Sequence, residues 1–157
     1  MGCLPSKPEA PAFRAGAGAT FRPGGPDERK ELEVVRHAAL RVSAAACRMQ
    51  GWRRTQEDVA VALPGAPDAP DVLLCGVFDG HSGSVSATLA AARMFPAVLR
   101  TKAWGAGDAE AALVQGFLDV DAALREARAR DGTTAVCAVV AARALWVANC
   151  GDSRALL

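Results

Sequence analysis

The chain contains no tyrosine, and aromatic residues make up only 5% of it. Neither sign of charge dominates: 18 Lys and Arg stand against 17 Asp and Glu, a formal net charge of +1. There is no basic tail or basic block, and few rings on which bases could stack, which argues against a nucleic-acid partner. The five cysteines, Cys3, Cys47, Cys75, Cys137 and Cys150, are odd in number and form no C-x-x-C pair. That spacing is unsuited to a zinc site or a disulfide framework and points to a reduced, intracellular protein. Cys75, Cys137 and Cys150 fall inside apolar runs, where a free thiol behaves as a small hydrophobe. No apolar run approaches the roughly 20 residues of a membrane-spanning helix. Residues 1–26 are rich in Pro, Gly and Ala without the apolar segment of a secretory signal.

What is present suits one packed domain. Hydrophobic residues are 51% and charged residues 22% of the 157. Residues 1–37 read as a flexible leader. Its start, Met1-Gly2-Cys3-Leu4-Pro5-Ser6, fits the pattern for myristoylation of Gly2, and the adjacent Cys3 is a palmitoyl acceptor. One acyl chain holds a protein to a membrane only marginally, so the pair matters for membrane association. Residues 38–157 read as the domain. Ala38–Ser43 is expected to be a first strand, Val59–Leu63 a second and Asp71–Phe78 a third. The third is almost wholly apolar and is therefore expected to be covered on both faces. A helix capped by Ser84 follows, to end or kink near Phe95 because of Pro96. Asp108 caps a longer helix running to about Arg130, with Leu113, Phe117, Val120 and Leu124 along its core face. Thr133–Val140 and Leu145–Cys150 read as a hairpin, and Arg154–Leu157 as the start of another strand.

Polar groups collect where these elements end. Arg53 and Arg54 precede the Glu57-Asp58 pair, Asp79-Gly80-His81 closes the third strand, and Gly151-Asp152-Ser153-Arg154 follows the hairpin. Hard carboxylates without paired Cys or His favour Mg²⁺ or Mn²⁺ over zinc. An arginine fork suits phosphate oxygens, and either Arg53 or Arg54 can supply it. Together these groups suggest metal-assisted phosphoryl chemistry. Asp152 and Arg154 read as structural turn residues, and His37 carries no assigned role.

Four stretches, in order, resemble the metal-dependent protein serine/threonine phosphatases of the PP2C (PPM) type. They are Met49-Gln50-Gly51-Trp52-Arg53 with Glu57-Asp58; Val77-Phe78-Asp79-Gly80-His81-Ser82-Gly83; Gly132-Thr133-Thr134-Ala135; and Val147-Ala148-Asn149-Cys150-Gly151-Asp152-Ser153-Arg154-Ala155. The resemblance implies an α+β fold, an antiparallel β-sandwich flanked by helices in α-β-β-α layers. It also implies two Mg²⁺ or Mn²⁺ ions bridged by water, and phosphorylated proteins as substrates. By position, Asp79 would bridge both ions, Gly80 would offer its carbonyl, and Glu57 and Asp58 would be the acidic pair beside the metals. Gly-Trp-Arg favours Arg53 over Arg54 as the phosphate ligand, and His81 would be the general acid. The family's later Asp-Gly-x-Trp-Asp and Asp-Asn segments do not occur in this sequence. The domain is therefore expected to be partial, with strand edges left open and turnover by this chain small or absent. The alternative is a catalytically inactive, phosphatase-like binding or decoy module.

Overall fold

The computed structural model describes residues 24–157. Gly2 and Cys3 lie outside the described residues, as does most of the stretch read as a tether. The chain begins with an antiparallel ribbon of two long strands, β1 (Asp27–His37) and β2 (Val42–Gly51). This corrects the expectation in two places. Residues 27–37, assigned to a flexible leader, form a strand in register with β2 from Lys30↔Met49 to His37↔Val42. The stretch Ala38–Ser43, expected to be a strand, holds the turn of that ribbon, and Arg41 adopts a positive φ of 55° there. The buried His37 pins the turn: Nε2 donates to the Pro70 carbonyl at 2.7 Å, and Nδ1 accepts from the Leu40 amide at 3.2 Å.

Four further strands make the main sheet. They are β3 (Val59–Leu63), β4 (Leu73–Phe78), β7 (Ala135–Val140) and β8 (Leu145–Cys150), in the order β3-β4-β7-β8, with every pair antiparallel. A two-residue pair joins β5 (Gly80–His81) to β6 (Gly132–Thr133). Between β5 and β6 come α1 (Val85–Leu99), the short α2 (Lys102–Gly105) and α3 (Ala109–Glu126). No strand forms at 154–157, where one was expected.

Strand alternation sorts the sheet into two faces. Leu74 and Phe78 of β4 and Ala135, Cys137 and Val139 of β7 share a core cluster with Ala87, Ala90, Met94, Phe95 and Val98 of α1 and Ala112, Leu113 and Val120 of α3. Burial in this cluster pushes the Cys137 thiol up to about 12, which keeps it protonated and apolar in behaviour. The opposite face is less covered than expected. Val77 is 45% exposed, as are Leu145 (44%) and Val147 (47%) on β8. A cleft of about 450 Å³ separates Ala44–Met49 of β2 from Ala60, Ala62, Cys75 and Val77.

The helix ends explain themselves locally. Ser84 stands at the N-cap of α1 but makes no side-chain cap bond. The Asp131 carboxylate does that work from across the fold, accepting from the Val85 amide at 2.7 Å and the Ser86 amide at 3.2 Å. Helix α1 continues through Pro96 to Leu99 rather than stopping at Phe95. Pro96 has no N–H to donate to the Ala92 carbonyl, and Ala92 sits on the exposed side of the helix, where that loss costs least. Helix α3 stops at Glu126, short of the expected Arg130. Arg128 takes a φ of 50°, its amide donating to Arg125 and the Ala129 amide to Leu124, a Schellman-type ending built on arginine instead of glycine.

Candidate active site

The β4–β5 turn sits where a rigid strand meets a two-residue pair, and its backbone is fastened on both sides. The Asp79 carbonyl accepts from the Thr134 amide at 2.9 Å and from Thr133 Oγ1 at 3.2 Å. The Asp79 amide donates to Thr134 Oγ1 at 3.3 Å. Thr134 Oγ1 lies 2.6 Å from Ser153 Oγ, which ties the 151–153 turn to the same point. Gly80 is required by sterics: a Cβ there would lie 2.4 Å from the Glu57 carbonyl oxygen. The loop before β3 therefore presses directly on the turn after β4.

That contact brings the acidic pair to the strand end. Arg53, Glu57, Asp58, Asp79 and Gly80 line one cleft of about 220 Å³, together with Gln50 and Thr55. Gln50 holds the arginine loop, donating from Nε2 to the carbonyls of Arg53 at 3.0 Å and Arg54 at 2.9 Å. Arg53 approaches Glu57 at 3.9 Å, a loose pair that leaves its fork free for another anion. Arg54 does not line the cleft. Thr55 Oγ1 donates to Glu57 at 3.1 Å.

The Asp58 carboxyl is held above the ordinary carboxylate range. Burial is the main cause, followed by the charge of Asp79 and a hydrogen bond with it; Arg53 opposes the shift. Two neighbouring carboxylates under partial burial call for a proton or a cation between them. Hard oxygen donors suit Mg²⁺ or Mn²⁺, and Mg²⁺ in particular takes one or two carboxylates and keeps several waters. The Asp58–Asp79 pair fits such a hydrated ion, although no group of three or more His, Cys, Asp or Glu converges as a closed cage among the described residues.

His81 is set apart. It is exposed, does not line the cleft, and lies with its ring against Gly132, where a Cβ would fall 2.3 Å from Nε2. The cleft thus gathers five of the six residues given catalytic or metal-binding roles from the sequence, and His81 stands on the adjoining pair. The supporting residues Asp131, Thr133, Thr134 and Ser153 had no role in the sequence reading. Thr133, Thr134 and Ser153 fall in the motif stretches 132–135 and 147–155, and Asp131 stands just before the first, but which atoms they reach depends on the fold.

Comparison with known proteins shows the family. The family profile described as Protein phosphatase 2C matches residues 42–157. The chain is 37% identical over 125 residues to Protein phosphatase 2C homolog 2 of Aspergillus fumigatus, an alignment covering 69% of this chain and 29% of that protein. It is 35% identical over 128 residues to Probable protein phosphatase 2C 5 of Paramecium tetraurelia, covering 72% and 43%. The fold matches the crystal structure of serine-threonine phosphatase 2C from Toxoplasma gondii with a TM-score of 0.60 at 19% identity, over 86% of this chain and 48% of that one. The chain belongs to the protein phosphatase 2C family, and it spans less than half the length of these relatives.

Proposed function

We propose that this chain carries the first part of the active site of a metal-dependent protein serine/threonine phosphatase. The observation that supports it best is the cleft itself, which brings Arg53 together with the Asp58 and Asp79 carboxylates. Asp79, Asp58 and Glu57 with the Gly80 carbonyl would hold Mg²⁺ or Mn²⁺. Such an ion supplies an acidified water and neutralises phosphate charge. Arg53 binds two phosphate oxygens in a fork that lysine cannot offer. His81, exposed on the adjoining β5–β6 pair, would act as the acid that protonates the departing serine or threonine oxygen. Substrates are phosphorylated proteins in the cell interior. The Gly2-Cys3 start fits acylation and membrane tethering, which a mass spectrum of the N-terminal peptide would settle.

The open donor set favours a second reading for the 157 residues alone, a binding or decoy module that engages metal weakly and turns over little. Mn²⁺-dependent release of phosphate from a phosphoserine peptide distinguishes the two. A form extended with the family's later aspartates should be active and should lose that activity in Asp79→Asn, while the chain as it stands should show little turnover. An extended form unaffected by Asp79→Asn would remove this site from the reaction.

A further inference from the structure

A cavity of about 540 Å³ opens between α1, α2 and α3, and it shares no lining residue with the cleft at Asp79. Arg93 and Arg100 of the α1 segment and Lys102 of α2 line it, and Asp119 is the sole acidic side chain on its wall. The Asp119 carboxylate is engaged by Gln115 Nε2 at 2.8 Å. Among the described residues Arg29 pairs with Asp27, Arg48 with Glu31, Arg125 with Asp121 and, loosely, Arg53 with Glu57, while several other exposed arginines, Arg36, Arg54 and Arg143 among them, have no ion pair. Arg93, Arg100 and Lys102 make no ion pair among the described residues. Arg100, at the C-cap of α1, complements the helix dipole. That does not account for Arg93, or for Lys102, which sits at the start of its own helix.

We infer that this cavity binds a phosphorylated segment of a protein partner. Two guanidinium forks and an ammonium suit a tetrahedral anion with several acceptor oxygens. Three cations against one engaged carboxylate leave two positive charges, which match a phosphoryl group carrying about −1.5 to −2. The cavity is larger than one phosphate, and its walls of Ala97, Ala103 and Ala123 leave room for flanking peptide. Helix α1 runs from the Asp131 cap, beside the β5–β6 pair, to this cavity. Its 15 residues span about 22 Å at 1.5 Å per residue. The inference does not depend on hydrolysis at the Asp79 cleft.

The test uses the whole chain in EDTA and a fluorescent peptide bearing one phosphoserine, read by polarisation. Binding should weaken about tenfold or more in the Arg93→Glu/Arg100→Glu variant and lose much of its salt dependence, as expected when charge carries recognition. Arg93→Gln/Arg100→Gln should show a smaller loss with unchanged thermal unfolding, because both side chains are exposed. Arg143→Ala, an exposed position that lines neither cleft, should bind as the parent does. The inference is overturned if the peptide does not bind, or if Arg53→Ala abolishes binding while the charge reversals do not. It is also overturned if the unphosphorylated peptide or inorganic phosphate binds as tightly. Binding of anionic phosphatidylserine vesicles through these arginines, without peptide binding, would assign the cavity to a membrane surface instead.

Discussion

At the scale of single residues, the site is organised around Gly80 and the carboxylate pair it brings together. A methyl group at Gly80 would collide with the Glu57 carbonyl at 2.4 Å, and a backbone oxygen cannot swing aside. Gly80→Ala is therefore expected to cost about 1–3 kcal/mol, in the range of overpacking, and to separate Glu57-Asp58 from Asp79. Urea unfolding together with Mn²⁺ titration would detect both effects. The raised Asp58 carboxyl carries a second consequence. A carboxyl whose folded pKa exceeds its unfolded value contributes stability at low pH, and loses it as pH rises through the folded value. At neutral pH the metal-free chain thus bears unrelieved repulsion, and Asp79→Asn should raise its melting temperature while weakening Mn²⁺ binding. A variant less stable than the parent at pH 7 without metal would contradict this. These identities were legible in the sequence because Asp-Gly-His at the end of an apolar strand is a compact signal. The roles of Thr133, Thr134 and Ser153 were not, since they act through hydrogen bonds between elements 19 to 55 residues apart.

At the scale of elements, α1 depends on a cap supplied from outside its own sequence. Asp131 accepts from the Val85 and Ser86 amides and from Ser86 Oγ, and these bonds, the Ser86 hydroxyl first, hold its carboxyl below the ordinary range. A depressed carboxyl contributes stability above its unfolded value, 3.8, and loses it as pH falls through the folded value. Asp131→Ala should fray the first turn of α1, seen as faster hydrogen exchange at Val85 and Ser86. The variant should also be less sensitive than the parent to acid below about pH 4. Parent-like exchange at both amides would show that Ser84 suffices. Helix α3 meets α1 so closely that a Cβ on Gly116 would lie 2.4 Å from Val98 Cγ2 and 3.1 Å from Val98 Cα. Alanine gains about 1 kcal/mol of helix propensity over glycine, against about 1–3 kcal/mol for overpacking. Gly116→Ala should be net destabilising in urea denaturation. The apolar strands and both long helices could be read from periodicity. Strand β1 escaped because Asp27–His37 is heavily charged, with Leu32 and Val34 facing outward. Its turn offers no Gly, Pro or Asn, and uses Arg41 at positive φ instead.

At the scale of the whole molecule, the two faces of the main sheet differ in what they have been given to pack against. The helix-facing side holds Leu74, Phe78 and Val139 at no exposure at all, so Leu74→Ala should cost about 2–5 kcal/mol. The other side leaves Leu145 and Val147 about half exposed on β8, which is also an edge of the sheet. An apolar strip on an open edge is a template for pairing with another chain. Purified chain should therefore self-associate as its concentration rises, and Val147→Lys should suppress this in sedimentation velocity. Because the side chain points away from the helices, the same substitution should change stability by no more than about 0.5 kcal/mol, as at other surface positions. The comparison with Leu74→Ala makes the test decisive. If Val147→Lys destabilises the monomer as much as the core truncation does, this face is already packed within one molecule. If it leaves stability intact and abolishes association, the exposed strip of β8 serves contacts between molecules, and the monomer draws its stability from the helix-side core and from the part of the opposite face that β2 covers.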